Sequence, residues 1–184
     1  MKKAVTAADF GLGTQGWSGV GPLDGRSLRP APSPMPRPKP QDGFFTSTWD
    51  PRRCTTAWMD YTRSEGHRST EGRSLWLLEP DADARLYVID VLDDFKALAD
   101  KYRQSYDNPH NPWYSPNWCR VFDEGRSMFD AIHVTSAAVD AGKSAPGTEH
   151  PQFLGWDVES TLWLTARFTD RRCVGALSDW TIGG

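Results

Sequence analysis

The sequence predicts an α+β fold, a mixed and mainly antiparallel β core with flanking helices. Three observations carry that expectation. Apolar, β-branched or aromatic runs of strand length recur at residues 44–49, 74–79, 85–90, 130–135, 158–168 and 172–177. Apolar residues fall at helical spacing in three places: after residue 55, across 93–103 and after 115. These helices do not alternate regularly with the strands, which argues against a doubly wound parallel sheet.

Residues 1–42 read as a Gly/Pro-rich N-terminal arm without a strong pattern. Residues 11–25 are Gly-rich, and from Pro30 to Pro40 proline stands at nearly every second position. Proline fixes φ and removes a backbone donor, so this stretch is expected to be extended. It is a flexible or surface-wrapped arm, a strap crossing a cleft, or a binding segment. Order is expected from Gly43, with residues 43–184 forming one domain. Residues 44–49 form its first strand, ended by Asp50-Pro51. Thr55 or Thr56 is placed to cap a helix carrying Ala57, Trp58 and Tyr61. A polar loop at 63–73 precedes two strands, 74–79 and 85–90, joined as a hairpin through Pro80-Asp81-Ala82-Asp83. Phe95, Leu98, Ala99 and Tyr102 mark the helix at 93–103. The Asn-Pro pairs within 104–114 indicate a loop, and Ser115-Pro116 a helix start. After a strand at 130–135, the composition of 136–155 reads as a long loop. A long strand at 158–168 then turns at Asp170-Arg171 into an antiparallel partner at 172–177.

Composition bounds the function. A chain of 184 residues suits one domain with a real core. The net charge of -3 gives no general drive toward nucleic acid or anionic membranes. No stretch is long and apolar enough to span a bilayer, and no apolar run follows Met1-Lys2-Lys3 as a signal peptide requires. Cys54, Cys119 and Cys173 are odd in number and lack paired-ligand spacing, so neither a disulfide framework nor a zinc site is expected. Reduced thiols in the cytoplasm fit that pattern. Nine tryptophans are many for this length; most are expected in the core, and a few lining a cleft for a flat ligand.

Two segments far apart carry chemistry. Thr46-Ser47-Thr48 places three hydroxyls at the end of an aromatic strand. Asp157-Val158-Glu159 places two carboxylates where a loop enters an apolar strand. In a regular strand those carboxylates share a face, repel, and suit one general base and one charge stabiliser. The structural alternatives are cross-strand hydroxyl bonding for the first segment, and a turn cap with a solvated edge acid for the second.

In this order the two segments resemble the ADP-ribosyltransferase superfamily. There a strand ending in a Ser-Thr-Ser-like motif leads into a helix beginning with a small residue and an aromatic. A later Glu, often preceded two positions earlier by Glu or Gln, starts a strand after a substrate-recognition loop. Thr46-Ser47-Thr48, then Ala57, Trp58 and Tyr61, the loop 136–155 and Asp157-Val158-Glu159 stand at those positions, over roughly residues 43–175. The resemblance implies NAD as co-substrate, Glu159, Asp157 and Ser47 as catalytic groups, and no metal. It implies NAD contacts from Thr46, Thr48, Trp49, Trp58 and Tyr61. It also implies a macromolecular acceptor, protein or nucleic acid, a toxin or effector role, and an inhibitor partner. The chain departs from the pattern in three ways. Asp157 replaces the usual Glu or Gln, and Thr46 the usual first Ser. No strand is evident before Pro30 to carry the family's NAD-anchoring Arg or His, which leaves Arg29, then Arg26, as candidates.

Other readings stand beside this one. Water as acceptor would make the protein an NAD glycohydrolase. An aromatic-rich, non-catalytic binding module would need exposed Trp residues on one face. A metal-independent ribonuclease would need His133 or His110 close to Glu159. His133 alternates with Ile132 and Val134 and reads as a sheet-face residue, while His67, His110 and His150 read as loop residues.

Overall fold

The computed structural model describes residues 3–20, 23–24, 39–40, 43–65, 72–103, 115–144 and 156–181. In chain order the elements are β1 (Val5–Thr6), α1 (Ala7–Phe10), β2 (Gln15–Val20), β3 (Phe44–Asp50), β4 (Thr55–Thr56), α2 (Ala57–Ser64), β5 (Arg73–Pro80) and β6 (Arg85–Ile89). There follow α3 (Leu92–Lys101), α4 (Trp118–Arg120), a π-helical turn (Val121–Gly125), β7 (Ala131–Val134), α5 (Ser136–Ser144), β8 (Ser160–Trp163), β9 (Phe168–Ala176) and α6 (Ser178–Thr181). The class is α+β, with a curled, mostly antiparallel sheet. Its strands run in the order β1-β6-β7-β8-β3-β2-β5-β9, and β4 pairs onto β3. Among the described strands only β6 and β7 pair in parallel, with α3 in the crossover between them.

The aromatic and β-branched residues of β3 suit a pleated surface, and alternate residues point to opposite faces. Phe44 therefore enters one cluster with Leu78, Leu86, Trp163 and Phe168. Phe45 instead borders the larger cluster, in which Phe95, Leu98, Tyr102 and Trp118 from the helices cover Ile132, Val134 and Leu162 of the sheet. The Asp50 carboxylate accepts from the backbone N–H groups of Arg52 and Arg53 at 2.9 and 3.3 Å, closing the turn after β3. β4 then pairs back onto β3, Trp49 opposite Thr56. The Thr56 hydroxyl caps α2 by accepting from Met59 N–H at 3.1 Å.

Several sequence expectations are corrected. The arm does not extend from residue 1 to 42: β1 and β2 belong to the sheet, with the short helix α1 between them in sequence, and β2 lies between β3 and β5. Its two glycines hid it. A Cβ at Gly16 would stand 2.5 Å from Thr56 Cγ2, and one at Gly19 would stand 2.1 Å from the Trp17 ring, so close approach demands glycine there. β5 and β6 do not form a hairpin. β5 has both edges taken, by β2 and β9, while β6 sits between β1 and β7. The expected loop at 136–155 opens as α5, where the Thr135 hydroxyl accepts from Ala138 N–H at 3.2 Å; residues 145–155 lie outside the described set. Pro116 bridges to Arg103, and α4 starts after Asn117, whose side chain accepts from Arg120 N–H at 3.1 Å. The long strand expected at 158–168 ends at Trp163. Leu164 and Thr165 N–H both turn to the Asp130 carbonyl, at 2.8 and 3.2 Å, and β9 leaves to pair with β5, running unbroken through Asp170-Arg171.

Candidate active site

Register turns two distant segments into one site. Thr46 of β3 lies opposite Thr161 of β8 in an antiparallel pair. Two residues on from Thr46 and two residues back from Thr161, the same antiparallel register sets Thr48 beside Glu159, just outside the start of β8. On the other side of β3, Gln15 of β2 lies opposite Thr48. On the other side of β8, His133 of β7 lies opposite Thr161. Gln15, Thr48 and Glu159 thus form one cross-strand row, and Thr46, Thr161 and His133 the next.

The Glu159 carboxylate is the focus. Its Oε2 accepts from the Ser47 hydroxyl at 2.8 Å and from the Thr48 backbone N–H at 3.0 Å. Its Oε1 accepts from the Thr48 hydroxyl at 2.9 Å. The Ser47 hydroxyl also lies 3.0 Å from the Glu159 carbonyl, so two oxygens of one residue share its proton. With its side chain 10% exposed, Glu159 is set in the sheet and still reaches the surface. Three donors converge on it, the coordination an acceptor-only, ionised carboxylate takes.

A polarised chain of hydrogen bonds stands behind that carboxylate. Trp163 Nε1–H donates to the Thr46 hydroxyl at 2.8 Å, and Thr46 donates to Gln15 Oε1 at 2.7 Å. Gln15 Nε2 donates to the Thr48 hydroxyl at 3.1 Å, and Thr48 donates to Glu159. Each hydroxyl accepts one proton and donates one, so the chain runs in a single direction and ends on the carboxylate. Gln15 is fully buried, and its Nε2 also donates to the Gly13 carbonyl at 3.0 Å. Sequence reasoning missed Gln15 altogether, because a lone Gln in a Gly-rich stretch carries no signal until the register is known.

His133 completes the surroundings. Its Nδ1 lies 2.9 Å from the Thr161 hydroxyl and 3.6 Å from Glu159 Oε1, and its side chain is 4% exposed. The edge of the Phe10 ring packs on the imidazole, with centroids 5.0 Å apart. Burial lowers the His133 pKa from its ordinary value, against the opposing pull of Glu159 and Asp90. The expected sheet-face histidine is therefore also a neighbour of Glu159.

Asp157 has different company. It acts electrostatically on Lys39 and Tyr61. The Lys39 ammonium sits 4.7 Å from the Phe45 ring centroid and 5.2 Å from that of Trp156, and burial lowers its pKa while Asp157 raises it. Burial, then Asp157 and Glu65, push the Tyr61 phenol up. Residues 156–159 precede β8 and are not strand, so the period-two rule that put Asp157 and Glu159 on one face does not govern them.

The remaining expected contacts divide. Ser47 and Thr48 meet Glu159. Thr46 is a correction: it is 3% exposed and its hydroxyl is engaged by Gln15 and Trp163, which makes it framework and not a ligand contact. Trp49 and Trp58 are half-buried and pack against the cluster of Met59, Leu75 and Leu177. Arg26 and Arg29 lie outside the described residues, as do His67, His110 and His150. A strand does precede Pro30, namely β2, and it borders the site through Gln15. Cys54, Cys119 and Cys173 form no disulfide. Among the described residues, no His, Cys, Asp or Glu group is gathered to hold a metal ion, and no helix is long and apolar enough to cross a membrane.

No family model, no curated protein and no solved structure matches this chain.

Proposed function

We propose that the chain is an NAD-dependent mono-ADP-ribosyltransferase acting on a macromolecular acceptor, in the role of a toxin or effector. One observation carries the reading: the Glu159 carboxylate is gathered by the Ser47 hydroxyl and by the hydroxyl and amide of Thr48. That is a preorganised negative charge at a strand entrance, held by donors that need not reorganise during reaction. In the proposed step the bond between C1 of the ribose and the nicotinamide nitrogen breaks, and nicotinamide leaves with the electron pair. The ribose carbon passes through an oxocarbenium-like transition state. Glu159 accepts from a ribose hydroxyl and stabilises the growing positive charge. The acceptor nucleophile then bonds to that carbon and loses its proton.

Ser47 and Thr48 orient Glu159. Trp49, Trp58 and Tyr61, each half-buried on β3 or α2, are the aromatics available to nicotinamide. Asp157, which acts electrostatically on Lys39 and Tyr61, is the group to position or deprotonate the acceptor. An inhibitor partner would have to cover Glu159. With water as acceptor, the same site would hydrolyse NAD.

His133 beside Glu159 meets the distance a ribonuclease requires. Its burial and the cover of Phe10 favour a role behind the carboxylate over proton exchange with a substrate. The binding module has less support, because none of the seven tryptophans among residues with described side chains is exposed. The test is to incubate the protein with adenine-labelled NAD and cell extract and follow label into the macromolecular fraction. Transfer by wild type and not by Glu159→Gln is expected. Equal labelling by both would overturn the role given to Glu159.

A further inference from the structure

All four residues of β7, Ala-Ile-His-Val, are buried, and the site of His133 would suit an aliphatic side chain. A buried polar ring in such a strand calls for a partner that needs it. His133 has two neighbours of that kind. Thr161 fixes its Nδ1 at 2.9 Å, and Glu159 Oε1 lies 3.6 Å from the same nitrogen. The charged or titratable groups acting on it are Glu159, at the entrance to β8, and Asp90, at the end of β6. From α1 the apolar Phe10 ring packs on the imidazole.

We propose that His133 is a positioning residue for Glu159 and an acid-sensitive switch of the site: neutral, it leaves Oε1, bonded to the Thr48 hydroxyl, its remaining capacity to accept from substrate, and protonated, it pairs with that oxygen and withdraws its charge. This rests on the reading of Glu159 as the charge-stabilising carboxylate. The geometry supplies both states. At 3.6 Å a neutral imidazole borders the carboxylate without a full hydrogen bond, and a small approach by an imidazolium makes an ion pair. Such a pair cancels the negative charge that a positively charged transition state requires. Burial under Phe10 holds the ring neutral at neutral pH, so the switch operates below the ordinary histidine range.

The coupling is tested first without any reaction, by following the His133 imidazole through a pH titration by NMR. Wild type should titrate below the ordinary histidine range. Glu159→Gln removes the negative neighbour and should lower the midpoint further. Phe10→Ala, at a residue 38% exposed and outside the core, admits water to the ring and should raise it. A midpoint unmoved by either change overturns the proposal. The second readout is nicotinamide release from NAD against pH. Wild type should lose kcat as pH falls through the His133 midpoint, with KM for NAD little changed, and Phe10→Ala should move that acid limb upward. His133→Asn keeps a polar group near Nδ1 and should remove the limb; persistence of the limb in this variant overturns the switch. Absence of release from wild type at every pH would defeat the functional reading instead, and the titration would still decide whether His133 and Glu159 are coupled.

Discussion

Removing the Ser47 hydroxyl perturbs the carboxylate without touching the core. Ser47 is 2% exposed and donates to Glu159 Oε2 at 2.8 Å. A hydrogen bond to a charged acceptor is worth about 1.5–3 kcal/mol, against about 0.5–1.5 for a neutral one. In Ser47→Ala, Oε2 keeps only the Thr48 N–H at 3.0 Å. Stability should therefore fall by about 1.5–3 kcal/mol, which for a domain of this size lowers Tm by about 3–12 °C. In a Glu159→Gln background the same serine bonds at best to a neutral amide oxygen, so its removal should cost about 1 kcal/mol less. Urea unfolding of wild type, both single variants and the double variant at neutral pH measures that coupling. The expected value exceeds the scatter of about 0.3–0.5 kcal/mol seen for independent sites. Strict additivity of the two substitutions would refute the reasoning, because it would mean that Ser47 and the charge of Glu159 do not meet.

Two further predictions address the framework. Thr46→Val conserves shape but leaves Trp163 Nε1 and Gln15 Oε1 without their partner; a loss of about 2 kcal/mol or more in urea unfolding is expected. Asp130 governs acid stability. Burial pushes its carboxyl up, but hydrogen bonds from the Arg85 side chain and backbone and from the Thr165 hydroxyl together bring it below the ordinary aspartate range. A carboxylate depressed in the folded state contributes stability that is present above its unfolded pKa and lost as pH falls through its folded one. Unfolding midpoints should thus drop below about pH 4 in wild type, and less steeply in Asp130→Asn.

What was legible in the sequence was what local chemistry decides. β3, with its aromatic and β-branched run, and α2, with Thr56 before Ala57, follow from residues a few positions apart. The pairing of Ser47 with Glu159 was anticipated from motif order, although the partners are 112 positions apart. β2 was hidden because a strand with glycines at 16 and 19 reads as a loop until Thr56 and the Trp17 ring are seen against it. The break between β8 and β9 depends on the Asp130 carbonyl collecting two N–H groups, a long-range contact with no local signal. Gln15 and His133 gained their roles from register alone: each stands opposite a site threonine on a neighbouring strand. Asp157 parted from Glu159 because the chain is not yet a strand where they lie.

The central claim is that Glu159 is a charge placed for breaking the nicotinamide–ribose bond. Its most direct test is nicotinamide release from NAD by purified protein, wild type beside Glu159→Gln, with both shown to be folded and the full panel of extract acceptors supplied. The account predicts release by wild type and a loss of about a hundredfold or more in the variant, the scale of one removed electrostatic stabiliser. Undiminished release by Glu159→Gln, or no release by wild type with acceptors present, would contradict it.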